Sequence, residues 1–275
     1  MSGVGAGLVG LALLLAPQER LVWQPPGRRR WGRAPNAGRI DYVAADGQPL
    51  FAWVVAPDRA PAGTLLAFHG NAELAAWSVP WAREVARRTG WAVVLPEYRG
   101  YAGLGGASSY EGARLDAEAA LAAARGSGLG APLALYGHSL GSAVAAELAE
   151  ALDTAGSPPA TLLLESPFTS VRAMARLGHS ALLDRLWERV ARVRFETAAR
   201  VASLRAPVAV AHGLVDLVVP ARMGIAVHGA AMHPGPLLLL PTAGHNDVVE
   251  RGAARYWRWL AAALAAGARA EHLVR

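Results

Sequence analysis

Three residue types that cooperate in acyl transfer occur in a suggestive order along this 275-residue chain. The stretch "ALYGHSLGSAVAAELA" (134–149) holds Gly137-His138-Ser139-Leu140-Gly141, a serine framed by glycines. Asp216 follows in "AHGLVDLVVP" and His245 in "PTAGHNDV". A serine hydroxyl is a poor nucleophile unless a base removes its proton, and an imidazole base needs a carboxylate to hold its tautomer. Ser139 is therefore the candidate nucleophile, His245 the candidate base and Asp216 the carboxylate. The oxyanion that develops on the attacked carbonyl needs N–H donors. Leu140, directly after the serine, supplies one backbone N–H. The segment "FHGNAE" supplies the other through the backbone N–H of Asn71.

The pentapeptide alone is weak. With 30 glycines in the chain, random placement produces one G-x-S-x-G roughly 10–20% of the time. Rivals also exist. Glu165 ends an apolar stretch and is expected to be buried and hydrogen-bonded in a sheet; Asp247, two residues from His245, is expected at the surface or at a helix N-cap. Among the other histidines, His138 lies inside the glycine-framed turn and is too constrained to act as base. His69 and His212 each precede a glycine and are expected to make structural hydrogen bonds, while His179, His228, His233 and His272 lie in helices or loops. No His/Asp/Glu grouping has metal-ligand spacing, so no metal is expected.

The elements that must position these groups are legible as alternating patterns. Asp46-Gly47 between "RIDYVAA" and "LFAWVVA" predicts a hairpin. "TLLAFHG", "WAVVLPE", "PLALYGH", "TLLLES", "PVAVAHG" and "PLLLLP" are short apolar runs bounded by Gly or Pro, the pattern of strands buried on both faces. Helical patterns fall between them at about 80–89, 111–125, 140–153, 171–203 in pieces, 220–231 and 247–266. This alternation predicts an α/β fold with a mostly parallel eight-stranded sheet and helices on both faces. Ser139, Asp216 and His245 then all lie at carboxyl ends of strands, where sites form in open parallel sheets. Residues 39–266 form the domain, with a small helical cap at about 171–203 and a tail at 267–275. Residues 1–38 form an apolar segment followed by a Pro/Gly/Arg-rich linker. The Trp-rich "AWSVPWAREVARR" is expected to pack as a helix, and "ALLDRLWERVARV" to form part of the cap.

Composition removes other functions. With no cysteine, thiolate metal sites, disulfides and cysteine nucleophiles are excluded. The net charge of +6 is carried by arginine alone, and the arginines are scattered apart from Arg28–Arg30 and Arg33. No basic stripe with interleaved aromatics exists, so nucleic acid is not an expected partner. The apolar run 4–16 is shorter than the ~20 residues of a spanning helix. The arginines behind it would hold the following domain in the cytoplasm if the run inserts in a membrane. A membrane anchor through residues 4–16 and a soluble cytoplasmic protein are both open.

From about Arg20 to Ala262 the chain resembles the α/β-hydrolase superfamily. The closer likeness is to its serine-aminopeptidase-like branch, which carries "HGNA" in the oxyanion loop. "ERLVWQPP", "PEYRGYAGLGGASSYEGARLDAEAAL", "ESPFTSVR", "PVAVAHGLVDLVVP" and "AGHND…YW" match in order and spacing. Ala102 and Leu104 depart from the pattern, standing where the family often has Gly and Ser. The resemblance implies a serine hydrolase without a cofactor; the small apolar cap and the candidate membrane anchor point to a small-molecule or lipid acyl substrate, an ester or thioester with an apolar chain. An aminopeptidase-like amide hydrolase and a hydrolase-fold binding protein are the alternatives. The amide reading would need an acid to capture an amine, for which the cap offers Asp184, Glu188 and Glu196. The oligomeric state is open.

Overall fold

The computed structural model describes residues 19, 22–27, 34, 36–177 and 193–274. The N-terminal apolar run, the arginine cluster and all of the expected cap helix except Val193 lie outside the described residues.

The predicted sheet is present. Eight strands lie in the order β1-β2-β4-β3-β5-β6-β7-β8. β1 (Gly38–Val43) and β2 (Pro49–Val55) form the antiparallel hairpin around Asp46-Gly47. β2 pairs antiparallel with β4 (Ala92–Pro96). From there β3 (Thr64–Phe68), β5 (Leu133–His138), β6 (Thr161–Glu165), β7 (Val208–Gly213) and β8 (Pro234–Leu240) run parallel.

The period-two alternation of a strand explains why these runs are apolar throughout. Leu66, Leu135, Leu162 and Leu164 enter one core with the helix Leu140–Thr154; their neighbours Leu65, Leu163 and Val93 enter a second with Tyr256, Trp259 and Leu260. Each central strand thus divides its side chains between two layers, and the helices Val79–Thr89 and Ala254–Val274 cover the second face. The last helical stretch differs from the expected 247–266. It is two helices, Val248–Gly252 and Ala254–Val274, broken at Ala253, whose φ is 41°.

One buried ion network ties the hairpin to the rest. Arg99, after β4, reaches Asp46 in the hairpin turn at 2.6 Å and Asp116 in the helix Tyr110–Gly126 at 2.7 Å. Burial raises the Asp116 carboxyl, against the pull of Arg99. Nearby, Ala102 has φ 48°, a left-handed conformation that suits glycine, so the departure from the family pattern at this position carries strain. Stripping a buried charge of its partner costs about 3–5 kcal/mol; without Asp116 the Arg99 head keeps Asp46, which holds the loss to the lower end of that range. Asp116→Ala is therefore expected to lower unfolding free energy by roughly 3 kcal/mol, measured by urea denaturation.

Candidate active site

β5 ends in a turn that only small flanking residues permit. Ser139 has φ 50° and ψ −115° and is followed at once by the helix Leu140–Thr154. A Cβ on Gly137 would lie 2.2 Å from the Gly141 carbonyl oxygen, and one on Gly141 would lie 2.2 Å from that of Phe68. Any side chain at either position would push the helix off the sheet. The Ser139 N–H donates to the Glu165 carbonyl at 2.9 Å, which ties the turn to β6. Leu140 opens the helix, and the first N–H groups of a helix have no intrahelical acceptor.

The three residues singled out in the sequence come together. His245 Nε2 lies 2.9 Å from Ser139 Oγ, and His245 Nδ1 lies 2.7 Å from Asp216 Oδ2. With a carboxylate at Nδ1, that nitrogen carries the proton and Nε2 turns its lone pair to the hydroxyl. Asp216 is buried in the turn after β7. Its Oδ1 accepts the N–H groups of Val218 and Val219, each at 2.8 Å, and His212 Nε2 stands 3.2 Å from its Oδ2. Burial alone would raise this carboxyl, but hydrogen bonds from His212, His245 and the Val219 N–H hold it well below the usual carboxylate range. His212 thus has a role beyond the structural hydrogen bond expected of it, which it does make, to the Val219 carbonyl at 2.9 Å.

The loop after β3 is pinned by side chains that the sequence does not mark as a group. His69 and Glu97 are both buried and lie 2.9 Å apart; His69 Nδ1 faces the Gly70 carbonyl at 2.8 Å, and Tyr98 donates to the His69 carbonyl at 3.0 Å. The Asn71 side-chain oxygen accepts from Tyr101 at 2.8 Å, from the Gln24 N–H at 2.9 Å and from the Ala72 N–H at 3.0 Å. The asparagine side chain therefore holds the loop, leaving the backbone N–H as its candidate donor. The only sequence signal for Glu97 was a charge ending an apolar strand. The rivals separate as expected: Glu165 is buried and accepts from Tyr136 at 2.7 Å, and Asp247 is the N-cap residue of Val248–Gly252. Asp247 also accepts from the Gly244 N–H at 2.6 Å, which ties the His245 turn.

Ser139 and His245 open onto a cleft of about 630 Å³, also lined by Asn71, Trp77, Trp81 and Tyr136. A larger depression of about 870 Å³ lies at the opposite, amino-terminal ends of the strands, against Thr64, Leu133 and Pro207. It contains none of these groups. Beside the first cleft the loop after β7 exposes Leu214, Val215, Leu217 and Val218; Leu217 is 97% exposed.

The family described as serine aminopeptidase, S33, matches residues 59–195. An uncharacterized protein of Mycobacterium tuberculosis is 32% identical over 254 residues, covering 89% of this chain and 85% of its own length. The chain belongs to the α/β-hydrolase superfamily. A second superfamily relative is the lysophosphatidylserine lipase ABHD12 of Danio rerio, 32% identical over 151 residues. That match spans 51% of this chain and 40% of the lipase. Among solved structures, a bacterial heroin esterase aligns with this α/β-hydrolase at a TM-score of 0.66 and 22% identity, covering 97% of this chain and 90% of the esterase. Among the described residues, no helix is long and apolar enough to cross a membrane.

Asp216 offers a test of the site's electrostatics. Its proton affinity in the fold lies below that in the unfolded chain, so its stabilising contribution is complete above about pH 3.8 and is lost as pH falls. The difference in Tm between wild type and Asp216→Ala is expected to shrink as pH falls below about 4. A difference that does not narrow in acid would refute the ionised, hydrogen-bonded carboxylate.

Proposed function

We propose that the protein is a serine hydrolase of acyl esters or thioesters with an apolar acyl chain. Ser139 Oγ attacks the carbonyl carbon while His245 Nε2 takes its proton. The backbone N–H groups of Asn71 and Leu140 hold the oxyanion. His245, now an imidazolium supported by Asp216, protonates the leaving alcohol or thiol as the acyl–oxygen or acyl–sulfur bond breaks. Water, deprotonated by the same imidazole, then releases the acid and restores Ser139. One observation carries the reading: the unbroken hydrogen-bond chain from Ser139 through His245 to Asp216, placed at the mouth of a cleft.

Support for an apolar acyl group comes from the rim. Trp77 and Val218 line the cleft, and Leu214, Val215 and Leu217 stand exposed beside it. Relatives whose names specify a lipase or an esterase agree with an ester substrate. The amide reading draws on the serine aminopeptidase family and on Glu73, Glu165 and Glu250 in the cleft. Two of the three are already engaged, Glu73 with His138 and Glu165 with Tyr136. That leaves Glu250 as the acid available to an amine, and an ester fits better. For location, the proposal is a cytoplasmic domain, either soluble or anchored through residues 4–16; carbonate washing separates the two, and a fully soluble product would refute the anchor. Residues 39–266 with the cap at 171–203 are proposed as one catalytic domain.

A fluorophosphonate probe is expected to modify Ser139. Ser139→Ala and His245→Ala should abolish labelling and lower kcat by roughly 10⁴–10⁶-fold. If Ser139→Ala cleaves p-nitrophenyl esters like wild type, the mechanism is wrong. A panel of acyl esters of graded chain length, with a thioester and an aminoacyl amide, is expected to show kcat/KM highest for the esters or thioester and rising with chain length. Preference for the amide would establish the peptidase reading.

A further inference from the structure

His138, inside the turn that carries the serine, touches both of the loops that must act with it. Its Nδ1 lies 3.1 Å from Glu73 Oε1, and its Nε2 lies 3.2 Å from the carbonyl oxygen of His245. Glu73 in turn accepts the Gly70 N–H through Oε2 at 2.8 Å. A hydrogen-bonded chain therefore runs from the oxyanion loop, through Glu73 and the residue before the nucleophile, to the backbone of the base. The packing leaves no slack, since a Cβ on Gly70 would lie 2.9 Å from His138 Nδ1. The rings of His138 and His245 are 5.2 Å apart.

The two partners of His138 are both pure acceptors, a carboxylate and a backbone carbonyl. A neutral imidazole has one N–H and one lone pair, and would turn that lone pair on an acceptor oxygen. Only the doubly protonated ring donates to both. We propose that His138 is a positioning residue held as an imidazolium by Glu73, locking the His245 backbone to the serine turn and setting a fixed positive charge beside the base. Like charges repel, so an imidazolium at His138 opposes a second positive charge on the neighbouring ring, 5.2 Å away. The role rests on the hydrolase reading above.

The surroundings agree. Burial would lower the proton affinity of His138, but Glu73 above all, with Glu165 and the His245 carbonyl, pushes it up to about 9. Burial would raise Glu73, but His138, His69 and the Gly70 N–H bring it down to about 2. The titratable groups around the pair are His69 with its partner Glu97, from the ends of β3 and β4, Glu165 from the end of β6, and His245 with its Asp216 partner. No arginine lines this cleft among the described residues.

The pair can be tested with and without turnover. Side-chain NMR of histidine-labelled protein is expected to show His138 protonated on both nitrogens at pH 8, and to show it having lost one of those protons at that pH in Glu73→Gln, where burial is no longer opposed by the carboxylate. This result does not depend on hydrolysis. His138→Gln, which keeps one side-chain donor but no charge, is expected to retain KM within about 2-fold and to lose roughly 10–100-fold in kcat. The acid limb of its kcat/KM profile is expected to move to higher pH, because a positive charge has been removed from beside the base. A variant that is merely destabilised would melt earlier without moving that limb. A neutral His138 at pH 7 overturns the proposal, as does a His138→Gln profile superimposable on wild type. Undiminished turnover by Ser139→Ala would instead refute the hydrolase reading, leaving the NMR result to decide the imidazolium.

Discussion

The backbone of Ser139 is the constraint on which the site depends. A non-glycine residue at φ 50° and ψ −115° is held there by what surrounds it: β5 behind, a helix ahead, and two glycines, Gly137 packed on the helix start and Gly141 on the Phe68 carbonyl at the end of β3. Such strain costs on the order of 1–3 kcal/mol and persists only where the neighbouring structure over-determines it. Here the neighbours are the two packed cores on either side of the sheet, which fix β5 and the helix independently. The return for that strain is placement. The hydroxyl stands clear of the sheet at the start of a helix, within reach of groups from two later strands.

Those groups arrive by topology. β7 and β8 are neighbours in the parallel sheet, so the turns that follow them open on the same edge as the serine turn. Asp216 comes from the first and His245 from the second. Neither loop positions its side chain unaided. Asp216 is caught by two N–H groups of its own turn and by His212 beneath it. The His245 turn is tied by Asp247, and its carbonyl faces His138. The loop after β3 is held by His69, Glu97, Asn71 and Tyr101.

The chain has 27 arginines and no lysine, yet the cleft itself is lined, among the described residues, by histidines and carboxylates and by no arginine. Arginine keeps its charge under all conditions and would hold an oxyanion or a carboxylate tightly. Imidazole can donate, accept or carry charge according to its partner. Asp216 leaves His245 with a lone pair for the serine, whereas two acceptors around His138 leave it none. In the proposed mechanism the same side chain serves as base in one position and as a fixed cation in the next.

The strands were legible because parallel strands covered on both faces must be apolar at every position, and "TLLAF", "AVVLP" and "TLLLE" satisfy that without reference to anything distant. The serine turn, the Asp216 and His245 positions and the Asn71 loop were legible for a related reason: each sits where an apolar run stops, and their order along the chain follows the order in which the strands are made. Local rules of burial and turn geometry determined that much. The pairing of His69 with Glu97 and of His138 with Glu73, the use of the Asn71 side chain as an acceptor, and the break at Ala253 were decided by the tertiary structure alone. In each case the partner is remote in sequence or the backbone is held by packing, and a buried polar group acquires its protonation state only from the neighbours the fold brings to it.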